Sequence, residues 1–202
     1  MALYHFSVRH VSRGKGQMVV ASAAYISGQR IFDSYYNKIH DYTSKSGVVF
    51  TEILTPEYVP ERLTDRETLW NEVEHVERNN KAQLAYSFDI ALQNELTLEE
   101  NIRLAKEFCQ EQFVARGMIV DLAVHEGKSD NEEEPDNPHF HVLVPIRPFT
   151  EEGIWGNKQR REYILDEDGN RVKDAKGKDM FNAVSTTCLL YTSPSPRDGL
   201  LS

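Results

Sequence analysis

The stretch Asn137-Pro138-His139-Phe140-His141 carries two histidines separated by one residue. From His139 to Ile146 the chain alternates and is rich in β-formers, so a strand is predicted, and its side-chain period of two puts both imidazoles on one face. A second predicted strand, Met118 to His125, turns Met118, Val120, Leu122 and Val124 toward the core and leaves Ile119, Asp121, Ala123 and His125 opposite. If these strands pair antiparallel across residues 126–138, His125 joins His139 and His141. Three neutral imidazoles facing an open position suit one divalent ion, Mn2+, Mg2+, Zn2+ or Ni2+, with imidazole favouring the transition metals. Such a set fits a catalytic ion better than a structural one. Asp89 and Asp121 are candidate acceptors for the ring N–H groups, and His5 is a candidate orienting neighbour. His40 and His75 read as ordinary surface histidines; chance surface histidines are the competing reading of the triad as well.

The elements that must position these groups follow from pattern. Leu3 to His10 alternates as a strand, and Arg13 to Gln17 reads as a loop. Met18 to about Tyr35 suggests a helix interrupted at Gly28. Val48 to Leu54 and Leu84 to Leu92 read as strands. Capping boxes start helices at Thr64, with Glu67 three residues on, and at Thr97, with Glu100. Leu69, Val73 and Val76 then form one apolar face, and Ile102, Ala105, Cys109 and Phe113 another. Strands interleaved with amphipathic helices predict an α+β fold of mostly antiparallel sheet with one apolar face for the helices. Residues 1–187 read as one domain. From Cys188 to Ser202 the chain has no periodicity and reads as an appended read-through tail without structure.

Composition narrows the function. With 32 acidic and 23 basic residues the net charge is -9, and 40% of residues are hydrophobic, enough for a core and unlike a disordered chain. Two cysteines exclude a disulfide framework and a thiolate zinc site. No run approaches the roughly 20 apolar residues of a membrane span, and His5, Arg9, His10 and Arg13 stand where a signal peptide would be apolar, so a cytoplasmic protein without membrane insertion is expected. The acidic balance argues weakly against nucleic acid. Locally, however, Arg9, Arg13 and Lys15, and again Lys158, Arg160 and Arg161, form candidate polyanion surfaces. The acidic run from Glu126 to Asp136 reads as a solvated loop.

Four separated stretches carry a resemblance: Met1 to Val8, Ala21-Ser22-Ala23-Ala24-Tyr25-Ile26-Ser27-Gly28, Gly117 to Asp121, and Asn137 to His141. Together, in this order, they resemble the MobA/MobL family of plasmid mobilization relaxases. The resemblance implies the histidine-hydrophobic-histidine endonuclease fold, a central five-stranded antiparallel sheet flanked by helices. It also implies Tyr25 as a single nucleophile and His125, His139 and His141 as metal ligands. The implied reaction is metal-dependent nicking of plasmid DNA at an origin of transfer through a 5′-phosphotyrosyl intermediate. Its implied partners are plasmid DNA and accessory mobilization and secretion coupling proteins. This chain carries Ser87 and Asp89 where members often have a glutamate, and Gln93 where a proline is common. Alternative readings are a rolling-circle replication or transposition endonuclease, a DNA-binding module with a structural metal, and a metal-dependent phosphoester hydrolase.

Overall fold

Alternating strands assemble into a five-stranded sheet of order β1-β5-β7-β6-β4 in which every pairing is antiparallel. In chain order the elements are β1 (Phe6–Ser12), α1 (Val19–Ser27), β2 (Arg30–Asp33), β3 (Lys38–Asp41), β4 (Val48–Leu54), α2 (Arg66–Val76), β5 (Gln83–Ala91), α3 (Leu98–Gln112), β6 (Val120–His125), β7 (His139–Pro145), β8 (Gln159–Tyr163) and β9 (Phe181–Ser185). The computed structural model describes residues 5–127 and 136–185. The tail predicted from Cys188, and most of the acidic loop from Glu126 to Asp136, lie outside the described residues. Among the described residues no helix is long and apolar enough to cross a membrane.

The α+β architecture is the one predicted, with one difference in layering. Helices cover both sheet faces. On one, Phe88, Leu122, Phe140 and Val142 pack with Ala105, Cys109 and Phe113 around α3. On the other, Ala85, Ala123 and Leu143 pack beneath Val19, Val20 and Ala23 of α1 and Leu69, Trp70 and Val73 of α2. The face that alternation marks as polar is therefore polar at one end only. At its covered end lies Asp121, fully buried, accepting from Arg66 Nε and Nη2 and from Trp70 Nε1 at 2.8–3.0 Å. This corrects the expectation that Asp121 orients a histidine: its oxygens are taken by α2. Removing one partner of a buried ion pair strands the other, so Arg66→Met should destabilise the fold by about 4 kcal/mol. A lowered urea midpoint would register the loss, and an unchanged one would mean that Trp70 alone suffices for Asp121.

Arg13 is also reassigned. Predicted as polyanion-binding, it is 8% exposed and donates from Nη2 to Glu74 Oε2 and from Nη1 to the Glu77 carbonyl, both at 2.7 Å. The other Glu74 oxygen accepts the N–H of Val19 at 2.9 Å, one of the donors that a helix start leaves without an intrahelical partner. The pair ties the start of α1 to α2 and buries the guanidinium away from a phosphate in solvent.

The long helix predicted to Tyr35 stops at Ser27. Gly28 adopts φ 63°, which the absence of Cβ permits, and returns its N–H to the Ala24 carbonyl. The chain then forms the β2–β3 hairpin, so Tyr35 and Tyr36 sit in a turn whose N–H groups are taken by Asp33 Oδ1. His40, expected at the surface, is 6% exposed, with Nε2 3.5 Å from Asp33 Oδ2. Thr97 and Glu100 cap α3 reciprocally as predicted. Thr64 does not cap α2. Asp65 takes that position and accepts from the Thr68 N–H, while Thr64 donates its hydroxyl proton to the Glu61 carbonyl and Glu67 accepts from the N–H of Phe32.

Candidate metal centre and tyrosine

The register brings the histidines together. His125 of β6 stands opposite His139 of β7, and the next rung on the same face carries Ser7, Asp89, His141 and Ala123 from β1, β5, β7 and β6. The three imidazoles crowd to centroid separations of 4.6, 5.0 and 5.2 Å, and one ligand nitrogen from each lies within 4.8 Å of the others. Two of the rings are oriented by backbone carbonyls. His125 Nε2 donates to the Ile26 carbonyl and His139 Nδ1 to that of Asn137, both at 2.7 Å. A carbonyl only accepts, so these contacts leave the lone pair on Nδ1 of His125 and on Nε2 of His139. Asp89 stands between two histidines, 4.0 Å from His141 Nδ1 and 3.9 Å from His5 Nε2. Three imidazole nitrogens, with the ring N–H groups of His125 and His139 held by carbonyls and His141 facing Asp89, form a donor set that fits a divalent ion.

Burial pushes His125 and His141 down from the ordinary 6.5 to about 4, helped by mutual repulsion between the rings. Both are therefore neutral and ready to donate lone pairs at neutral pH. The same displacement makes the metal-free fold sensitive to acid. Between pH 6.5 and 4 the unfolded chain takes up protons that the folded chain refuses, so stability is full above 6.5 and falls as pH drops through that window. His125, 5% exposed, accounts for about 3 kcal/mol. Denaturant unfolding of the metal-free protein should show this fall, and His125→Gln should flatten it.

Tyr25 enters from α1. It is 51% exposed near the C-terminal end of the helix, and Ala21 and Ser22, four and three residues before it, keep that helix face low. Two cavities meet at Tyr25, Asp89 and His141. One, of about 580 Å3, also reaches Lys45, His125 and His139. The other, of about 430 Å3, runs along α1 past Ala21 and Ser22, with Ser7, Arg9 and Ser87 lining it from the sheet. Tyr25 and the imidazoles thus open on one continuous groove.

Two groups around Tyr25 were not predicted. Tyr42 meets its ring edge-on at 5.3 Å, and Lys45 Nζ lies 3.8 Å from its centroid. No spacing signals such a contact, because Lys45 is twenty residues from Tyr25 in a short polar segment. Of the candidate basic residues, Arg9 lines the groove and Lys15 is exposed in the turn before α1. Lys158 is already engaged, by Glu77 at 2.8 Å and the Gln83 carbonyl at 2.6 Å, contrary to its reading as a free cation. Arg161 is exposed over the Phe181 ring, and Arg160 stands opposite Val184 in the β8–β9 pairing.

Comparison with known proteins bears on the family and the fold. The MobA/MobL family model matches residues 17–191. The chain belongs to the MobA/MobL family. Conjugal transfer protein TraA of Agrobacterium fabrum strain C58 is 36% identical over 191 residues, which cover 90% of this chain and 16% of TraA. The probable mobilization protein MobA of Bifidobacterium longum is 36% identical over 174 residues, 85% of this chain and 30% of that protein. This MobA/MobL chain therefore spans about a sixth of the TraA relative and under a third of the MobA relative. A solved chain described under the molecular basis of vancomycin resistance transfer in Staphylococcus aureus superposes with a TM-score of 0.71 at 38% identity, covering 79% of this chain and 78% of that one.

Proposed function

We propose that this MobA/MobL chain is the DNA-cleaving domain of a plasmid mobilization relaxase, a site- and strand-specific endonuclease and strand transferase acting at an origin of transfer. The observation that carries this reading is an exposed tyrosine opening on the same cavity as three clustered imidazoles. The Tyr25 hydroxyl oxygen bonds to phosphorus in line as the bond from phosphorus to the 3′ oxygen breaks. The tyrosyl proton leaves Tyr25, and the departing 3′ oxygen gains a proton, so the strand ends in a 3′ hydroxyl and the 5′ phosphate becomes a tyrosyl ester. The ester conserves the bond, so attack by a 3′ hydroxyl reverses the step and rejoins the strand without a nucleotide cofactor. A divalent ion held by His125, His139 and His141 would keep its full charge, since the ligands are neutral, and would offset the negative charge of the phosphate. Asp89, 4.0 Å from His141 Nδ1, is in this reading the acceptor for that ring's N–H. Arg9 supplies positive charge in the groove along α1, whose small residues admit a sugar-phosphate backbone. Plasmid DNA is the substrate in this reading, and accessory mobilization and secretion coupling proteins are its partners.

Supercoiled plasmid carrying the DNA that flanks this gene, incubated with the protein and Mn2+, should become an open circle with the 5′ end of one strand covalently blocked. A plain nick with a free 5′ phosphate would favour a hydrolase. Binding with unchanged topology would favour a non-catalytic module.

A further inference from the structure

We infer that Lys45 is a positioning residue for Tyr25, and that residues 42–47 form a clamp setting the direction of its ring. This rests on the reading of Tyr25 as nucleophile. A tyrosine half exposed on a helix has room to rotate, and in-line attack tolerates little misplacement. Two groups from one segment restrict it: the Tyr42 ring stands perpendicular to that of Tyr25, at 87°, and the Lys45 ammonium covers its face. The same ammonium donates to the Tyr25 carbonyl at 3.1 Å. That carbonyl is among the last four of α1, where the helix leaves acceptors unsatisfied and its dipole favours a cation. One charge thus engages the backbone and the ring of a single residue, which fixes one relative to the other.

The clamp is itself anchored. The Tyr42 N–H donates to the Gln29 carbonyl just past α1 at 3.2 Å, the Lys45 N–H to the Tyr42 carbonyl at 3.0 Å, and the Glu126 N–H to the Gly47 carbonyl at 2.9 Å. Gly47, at φ 82°, makes the bend that returns the chain to β4. The segment is held on one side by the end of the tyrosine helix and on the other by the residue after His125. Lys45 also lines the cavity of the three imidazoles, so its charge lies beside the place proposed for the reacting phosphate.

Lys45→Met, Lys45→Arg and Tyr25→Ala, prepared with the wild type, test this. In single-turnover reactions with Mn2+ and a strand containing the nick site, Lys45→Met should form the covalent adduct about 100-fold more slowly with little change in DNA affinity. Lys45→Arg should recover most of the rate, since the guanidinium also stacks on aromatic faces. Independently of activity, NMR of the DNA-free protein should find the Lys45 ε-methylene protons shifted upfield by the Tyr25 ring, and Tyr25→Ala should abolish that shift. Absence of the shift, a wild-type adduct rate in Lys45→Met, or a loss appearing wholly as weaker DNA binding would overturn the inference. A wild type that shows the ring shift yet forms no adduct would leave the clamp in place and overturn the nucleophile reading.

Discussion

Tyr25→Phe should bind single-stranded DNA as the parent does and form no covalent adduct, with strand cleavage falling to background. The substitution removes one oxygen from a side chain that is half exposed, so neither folding nor the groove gives reason for a loss of binding. Geometry distinguishes Tyr25 from the tyrosines that follow it in the chain, Tyr35, Tyr36 and Tyr42. Tyr35 lies against Arg13 at 4.3 Å and His75 at 5.7 Å, and Arg13 is bound to the glutamate that caps the start of α1. The imidazoles lie at the other end of that helix, where Ile26 meets His125. Eight steps of 1.5 Å between its nine residues put about 12 Å of helix between those ends. Tyr42 is the closer rival because it touches Tyr25. Peptide mapping that placed DNA on Tyr42, or an adduct persisting in Tyr25→Phe, would overturn the assignment.

Loss of one imidazole from so small a set should be equally visible. His139→Ala and His141→Ala should each weaken binding of Mn2+ by at least about 100-fold in calorimetric titration, since even partners of metal ligands contribute 10–100-fold. His125→Ala should do the same and in addition release the Ile26 carbonyl. Because burial holds His125 and His141 neutral to about pH 4, protons compete for these two nitrogens only well below the range of a free imidazole. Unchanged affinity in both the His139 and His141 variants would remove the metal centre from the account.

The histidine cluster was legible because only two local facts were required: a strand alternates with period two, and a hairpin brings the end of one strand to the start of the next. Alternation names a face but not what covers it, which is why Asp121 read as a companion of His125. It shares that face but lies four residues farther along β6, beneath α2. Arg13 and Lys158 read as free cations because their partners, Glu74 and Glu77, lie more than sixty residues away in the chain. The helix predicted through Tyr35 failed at Gly28, where a left-handed residue turned the chain into strands too short to impose an alternation. At α2 two adjacent residues could cap, and Glu67 was drawn off by the backbone of β2. Lys45 had no pattern at all, since its contact with Tyr25 exists only after the intervening hairpin has folded back.

The hydrogen bond from His125 to the Ile26 carbonyl joins the histidine strand directly to the tyrosine helix. Ile26 directly follows Tyr25, so the carbonyl that seats the His125 ring is one residue from the Cα of the proposed nucleophile. Any event that repositions the His125 imidazole, whether capture of an ion or its release, acts on the end of the tyrosine helix, and a strand pulling on Tyr25 acts in reverse on His125. Thermodynamic reciprocity then requires that DNA engagement and ion affinity alter one another by the same factor. Under the proposed function the site would behave as a single mechanical unit, in which loading with metal would also cock the tyrosine.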